Sequence, residues 1–319
     1  MIKVSADVSC AADLLKQDEI VAIPTETVYG LAGNVFSEKA IKSIFEIKKR
    51  PFFNPLIVHI KSIDYLDEIT VDVPENARKL ASKFWPGPLT MVLKKKDVIP
   101  DLVTAGKDTV GVRMPDHPVA LALLKSLDFP LAAPSANPFG CISPTKAQHV
   151  ADYFKEDLKM VLDGGVCQRG IESTIVGFQD GKTIIYRYGS ISVEDIEAVV
   201  GEVFFITKND TAPDAPGMLS KHYAPKTSTY LTDNVKELIA SFPDKKIGVL
   251  LLKDDTEIDK TTARILLSEK GDLVEAAKNL YESLHLLDKM ELDVIIAQKM
   301  PDVGLGKSIN DRLERATKK

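Results

Sequence analysis

At 319 residues, 45% hydrophobic and 27% charged, the chain is long enough for two cores and has the make-up of an ordinary soluble globular protein. A net charge of -5 and a pI near 5.7 argue against a surface that coats a polyanion, although a local basic patch stays open. Lys3, Asp7 and Asp13 stand among small residues at the start, which predicts neither a secretion signal nor a membrane span and makes a cytoplasmic protein the expectation.

The first strong element is Ile20 to Ile23, apolar and mostly β-branched, as in a strand covered on both faces. It stops at Pro24, and Thr25-Glu26-Thr27-Val28-Tyr29-Gly30 then crowds hydroxyls, a carboxylate and a phenol where a strand ends. In α/β proteins that edge is where ligands bind; the plainer reading is a strand-to-helix turn capped by Thr25 or Thr27. Glu38 to Lys48 follows helical spacing through Ala40, Ile41, Ile44 and Phe45 and ends in Lys48, Lys49 and Arg50. Those cations either offset the helix dipole or form a phosphate clamp with Asn54. Leu56 to Ile60 predicts another buried strand, and His59 within it is either a core residue or a ligand group.

Further along, Trp85-Pro86-Gly87-Pro88-Leu89-Thr90 precedes Thr109 to Arg113, a short strand whose alternation puts Arg113 off the apolar face of Val110 and Val112. An arginine there calls for an anion, either a protein carboxylate or that of an amino-acid substrate. Ala132, Ala133 and Ala136 would let backbone approach a ligand closely, with Ser135 and Asn137 beside them, unless these form a simple turn. Ser143-Pro144-Thr145 and Gly170-Ile171-Glu172-Ser173-Thr174 complete the polar segments. There is no Walker or dinucleotide glycine motif and no histidine pair at metal spacing. Cys10, Cys141 and Cys167, odd in number and widely spaced, read as reduced thiols.

Apolar periodicity disappears between Thr207 and Thr229, where Pro213, Pro216, Gly217 and Pro225 mark a linker. It restarts with a strand at Ile247 to Leu252, a helix at Leu273 to Leu287 and a strand at Leu292 to Ala297. The expected division is a first α/β domain over 1–206, a linker or lid over 207–229, and a smaller α/β domain over 230–319.

The ordered set Pro24-Thr25-Glu26-Thr27-Val28-Tyr29-Gly30-Leu31, Lys48-x-Arg50-Pro51 with Asn54-Pro55-Leu56, Trp85 to Thr90, Val112-Arg113-Met114-Pro115, Ala133-Pro134-Ser135-Ala136-Asn137 and Glu172-Ser173-Thr174 resembles the threonylcarbamoyl-adenylate synthases. Ala215-Pro216-Gly217-Met218, Lys221-His222-Tyr223-Ala224-Pro225, Gly304-Leu305-Gly306 and Ile309-Asn310-Asp311-Arg312 resemble the long, two-domain form. Arg187-Tyr188-Gly189 stands where the family often has Arg-Pro-Gly.

The resemblance implies a YrdC-like first domain, a twisted mixed α/β sheet around a concave cationic cavity, followed by a smaller Rossmann-like α/β domain. It also implies a nucleotidyl transfer in which L-threonine, bicarbonate and ATP give threonylcarbamoyl-adenylate and pyrophosphate, with Lys48 and Arg50 offsetting phosphate charge. Threonine would sit near Thr27, His59, Arg113, Ala133 and Ser173. ATP would sit near Lys48, Arg50, Asn54, Thr109, Ser135, Asn137, Ser143, Arg187 and Tyr223. Magnesium would be held mainly by the ATP phosphates, with no protein metal site. A downstream transferase complex would pass the product to the adenosine next to a tRNA anticodon, so that tRNA is met indirectly or weakly and no membrane is involved. The contrasting expectation is an RNA-binding regulator, which the acidic balance disfavours.

Overall fold

A computed structural model describes residues 2–206, 213, 215–219, 222–254, 258 and 261–318. Its larger sheet has eleven strands, in the order Lys3–Ser5, Met160–Leu162, Val21–Ile23, Gly30–Asn34, Leu131–Ala132, Ile57–His59, Thr109–Arg113, Leu89–Lys94, Thr174–Gln179, Lys182–Arg187 and Val203–Phe205. Pairings of both directions occur: Ile57–His59 lies parallel to Thr109–Arg113, which lies antiparallel to Leu89–Lys94.

Alternation along each strand decides which side chains enter which layer. Ala22 joins a core under the helices Glu38–Lys48 and Glu75–Phe84, while Val21 and Ile23 point the other way, toward Leu15, Leu123 and Leu124. Across the sheet centre, Val58, Val112, Val176 and Ile185 fill the first core, so Ile57, Ile175, Ile184 and Tyr186 face the opposite side. Ala215 and Met218 cover them there. The linker thus packs on the sheet face that carries His59 and Arg113.

The strand-to-helix turn, the plainer of the two sequence alternatives for the run Thr25 to Gly30 and the one its neighbouring polar segments disfavour, is not what forms. Val21–Ile23 and Gly30–Asn34 pair antiparallel, and the polar run is the turn between them. Thr25 Oγ1 accepts the amides of Thr27 and Val28 at 3.2 and 3.3 Å and donates to the Val28 carbonyl at 2.6 Å, so the hydroxyl closes this turn.

The smaller sheet is all parallel, in the order Ser228–Thr232, Val294–Gln298, Ile247–Leu251 and Ala263–Leu266. Both faces are covered, which is why its central strands read as unbroken apolar runs. One face takes the helices Leu273–Asp288 and Leu305–Ala316, and the other takes Val235–Ala240. Among the described residues the first core includes none beyond Val203, whereas the second includes Val28, Ile142, Ile171 and Tyr223, so the smaller unit shares its core with the larger. Gly170 makes that contact possible: a Cβ there would lie 2.1 Å from the Lys278 carbonyl oxygen. Around the seam, Lys146 meets Glu282 at 2.6 Å, Lys289 meets Asp152 at 2.6 Å and Lys307 meets Glu194 at 2.8 Å.

Candidate active site

Backbone hydrogen bonds bring the distant polar segments together. The amides of Leu31 and Ala136 bond to the carbonyls of Pro134 and Tyr29 at 2.7 Å each, and Tyr29 N reaches the Pro144 carbonyl at 2.8 Å. Thr174 N donates to Pro88 at 3.0 Å, and Gly189 lies so close to Ser173 that a Cβ would meet its carbonyl carbon at 2.3 Å. Glycine is therefore required after Arg187-Tyr188 even though the usual proline is missing.

Together these segments line a cavity of about 50 Å³. Thr27, His59, Arg113, Ala133 and Ser173 all line it, as do Arg50, Ser135, Arg187 and Tyr223. Lys48, Asn54, Thr109, Asn137 and Ser143 are not in the lining. Lys48 Nζ instead donates to the Ser135 carbonyl at 2.5 Å and to the Asn137 carbonyl, shaping the wall from behind. Asn54 accepts from Arg50 Nη2 at 2.7 Å through Oδ1, which aims the guanidinium. Ser143 donates to Glu172 at 2.6 Å, and Asn137 Nδ2 donates to the Cys141 carbonyl at 2.8 Å. Thr109 pairs with Lys94 at the start of its strand, four residues from Arg113 and so about 13 Å along the strand axis.

The lining is cationic. Arg50 is 6% and Arg187 5% exposed, and among the described residues neither takes part in an ion pair. Arg50 donates to the carbonyls of Asn54 and Pro55 at 3.1 and 2.7 Å, and Arg187 to the Ser173 carbonyl at 2.8 Å and the Pro216 carbonyl at 3.3 Å. Burial lowers both guanidiniums below the usual arginine range, and Arg187 adds to the effect on Arg50. Guanidinium stays charged at neutral pH all the same. Among the described residues Arg50 has no carboxylate bonded to it, and the Glu172 carboxylate near Arg187 is already held by Ser143, Tyr281 and Arg312, so both buried guanidiniums keep capacity for an anion from outside.

Arg113 differs. Its Nη2 donates to Glu26 Oε1 at 2.7 Å, while its Nε and the other Glu26 oxygen are buried without a partner. Of the two partners open to Arg113 from sequence, a protein carboxylate is therefore present, and the guanidinium still has an unused donor. His59 beside it is pushed down to about 3, by burial first and then by Arg113, and is neutral at pH 7. Its Nδ1 lies 3.2 Å from the Ile57 carbonyl, which can only accept, so Nε2 is left as an acceptor. Ser173 Oγ lies 2.8 Å from Thr90 Oγ1 and 3.1 Å from Arg187 Nη2.

Residues outside the sequence-derived set also enter. Glu172, His222, Pro216 and Gly217 line the cavity, and a Cβ on Gly217, at φ +83°, would sit 2.6 Å from Arg187 Cδ. Glu172 and Gly217 stand inside quoted motifs, but their partners come from far along the chain. Lys221 lies outside the described residues. No group of three or more His, Cys, Asp or Glu among the described residues could hold a metal ion.

A mixed sheet that carries buried cations around a cavity on one face, joined to a parallel α/β unit that shares its core, defines a two-domain α/β protein with a cationic cavity. The chain belongs to the Sua5/YciO/YrdC family: that family, described as "Telomere recombination", matches residues 13–189, and "Threonylcarbamoyl-AMP synthase, C-terminal domain" matches residues 191–317. It is 41% identical over 323 residues to threonylcarbamoyl-AMP synthase of Pyrococcus abyssi, covering 96% of this chain and 93% of that protein. With the Bacillus subtilis enzyme of the same name the identity is 40% over 316 residues, covering 96% and 91%. The structure of P. abyssi Sua5 complexed with L-threonine superposes with a TM-score of 0.92 at 39% identity, covering 99% of this chain and 97% of that one. The family and the two-domain fold expected from sequence are thereby shown, and the family places the chain among the enzymes of threonylcarbamoyl-AMP synthesis.

Proposed function

We propose that this chain is an L-threonylcarbamoyladenylate synthase, forming threonylcarbamoyl-AMP and pyrophosphate from L-threonine, bicarbonate or CO2, and ATP. The observation that carries the reading is the pair of buried guanidiniums of Arg50 and Arg187, neither in an ion pair among the described residues, facing one cavity beside Arg113, which keeps an unused buried Nε. The carboxylate of threonine would take that donor, and the neutral His59 Nε2 would accept from its ammonium or hydroxyl, with Thr27, Ser173 and backbone near Ala133 around it. The phosphates would lie toward Arg50, Arg187, Ser135 and Tyr223. Lys48 and Asn54 would act from behind the wall, by fixing the Ser135 to Asn137 carbonyls and Arg50.

In the reaction the threonine nitrogen, as the free amine, bonds to the carbon of CO2, whose C=O π pair moves onto oxygen while the nitrogen gives up a proton to water; bicarbonate enters the same step by losing its hydroxyl as water. A carbamate oxygen then attacks the α-phosphorus of ATP, and the bond to the bridging oxygen breaks with pyrophosphate leaving. No covalent enzyme intermediate is needed. Alignment, exclusion of water and fixed positive charge supply the rate enhancement. Among the described residues Glu172 is the carboxylate in the lining, and both its oxygens are already engaged, so magnesium would come with ATP and be held by phosphates and water.

The division into a catalytic domain over 1–206, a linker over 207–229 and a second domain over 230–319 belongs to this proposal. So does transfer of the unstable product by a partner complex to the tRNA adenosine next to the anticodon, in the cytoplasm. No helix among the described residues is long and apolar enough to cross a membrane. The test is incubation of pure protein with ATP, labelled threonine and bicarbonate. Pyrophosphate release that needs all three is the expected result; salt-dependent RNA binding without ATP turnover would favour a regulator instead.

A further inference from the structure

The Glu172 carboxylate is the point where the second domain reaches the cavity wall. Ser143 Oγ donates to Oε1 at 2.6 Å from the first domain, and the remaining capacity is filled from the second. Tyr281 Oη lies 3.0 and 2.9 Å from the two oxygens, and Arg312 Nε donates to Oε2 at 2.8 Å. The rest of the Arg312 fork is also used: Nη1 meets Asp311 at 2.7 Å and Nη2 the Tyr188 carbonyl at 2.7 Å, one residue past Arg187. The same guanidinium lies 5.0 Å from the centre of the Tyr223 ring, which lines the cavity. Arg312 is fully buried, Tyr281 is fully buried, and Glu172 is 6% exposed.

Such a cluster is stable only while its charges balance. Glu172 is near two cations, Arg312 and Arg187, and burial alone would raise its pKa; the pair of them, with Ser143, holds it down to about 2. Were Arg312 absent, the ionised carboxylate would have Arg187 as its remaining nearby guanidinium. Drawn onto Glu172, Arg187 would leave the Ser173 and Pro216 carbonyls that aim it across the cavity.

We propose that Tyr281 and Arg312, both from the second domain, are positioning residues for the nucleotide: they hold Glu172 so that Arg187 stays free for phosphate, and Arg312 seats Tyr223 over the same space. The second domain is then one wall of the nucleotide site, acting through Glu172 and without touching either substrate. This rests on the reading of the cavity as the site for ATP and threonine.

The test uses the full chain with Tyr281→Phe, which keeps the ring and removes one hydroxyl, and with Arg312→Gln. Steady-state pyrophosphate release is followed against ATP and against threonine separately. The expected result is a KM for ATP raised about fivefold or more, with the KM for threonine within about twofold, because the lost contacts act on Arg187 and Tyr223 and leave Arg113 alone. Adding Glu172→Gln to Arg312→Gln removes the uncompensated charge and should bring the KM for ATP back toward wild type. A merely structural latch would lower the melting temperature without splitting the two KM values, and the second change would not rescue it. An unchanged KM for ATP in folded Tyr281→Phe and Arg312→Gln overturns the proposal while wild-type turnover leaves the enzymatic reading standing. Absence of any wild-type turnover removes both.

Discussion

Arg113 and Glu26, eighty-seven residues apart in the chain, meet at 2.7 Å in the protein interior, and each keeps a buried polar atom that no described residue satisfies. A buried ion pair with leftover capacity on both sides is costly unless something else completes it. Arg113 lines the cavity, so a ligand carboxylate can reach its unused Nε. On the proposed reading Glu26 would fix the guanidinium plane while Nε serves the threonine carboxylate.

Arg113→Lys keeps one positive charge near Glu26 and loses the planar fork. Threonine affinity is expected to fall about 10- to 100-fold, the equivalent of one charge-assisted hydrogen bond, with ATP binding retained. Calorimetry on the folded variant measures both. Unchanged threonine affinity would leave Arg113 as no more than the counter-charge of Glu26.

The structural picture separates Lys48 from Arg50. As mere helix-end charges they would each contribute about 0.3 to 1 kcal/mol, but those figures apply to exposed groups, and Lys48 is 1% exposed and Arg50 6%. Arg50→Gln removes a cavity charge with its hydrogen-bonding shape partly kept, and is expected to leave a folded protein whose ATP affinity drops at least about tenfold. Lys48→Gln is expected to cost stability as well, because two backbone carbonyls lose their shared Nζ donor. Melting curves beside pyrophosphate assays distinguish the two; equal behaviour of both variants in both measurements would contradict the separation.

Acid sensitivity is built into the domain seam. His149 and His285 stack with ring centres 3.8 Å apart, with Glu282, Asp152, Asp288, Lys146 and Lys289 around them. Burial first, and the neighbouring His285 after it, pushes His149 down to about 2; burial likewise takes His285 to about 4, against an ordinary value of 6.5. Between pH 6.5 and 4 the unfolded chain therefore binds protons there that the folded one does not, so the contribution is whole above 6.5 and is lost as pH falls. His285→Phe keeps a ring in the stack and should flatten the pH dependence of the unfolding midpoint in that window relative to wild type. Parallel profiles for the two proteins would show that the pair does not carry it.

Periodicity made parts of this molecule legible. The helix at Glu38–Lys48 and the buried strands at Ile57–His59 and Ile247–Leu251 follow directly from runs that each have one solution on a covered sheet. Ser228–Thr232 and Ala263–Leu266 escaped because both are edge strands, half exposed, with no apolar run to mark them. In the site, residue types at strand ends could be read, and their partners could not. Glu26 belongs to Arg113 and Glu172 to Tyr281 and Arg312 only through contacts 87, 109 and 140 residues apart, which no local pattern records.

The described part of the linker packs as a cover over the cavity. Ala215 and Met218 sit on the apolar face of the sheet, Pro216 accepts from Arg187, and Ala224 N donates to the Gly140 carbonyl at 2.8 Å, anchoring the far side. The space left beneath is about 50 Å³, against roughly 300 to 1,000 Å³ for a typical small-molecule site. On the proposed reading, ATP and threonine together would need Pro216-Gly217 and His222-Tyr223 to move outward, and closing again would keep water from the carbamate and the mixed anhydride. Tyr223→Ala should therefore weaken nucleotide binding, and ATP with threonine should change the rate of proteolytic cleavage within 207–229 in the direction of protection. Gly217→Ala adds a Cβ against Arg187 at a positive φ, so it should hold the cover off Arg187 and reduce kcat while the protein stays folded. Equal cleavage with and without ligands, together with normal turnover by protein already cut in that segment, would show a passive tether between the domains.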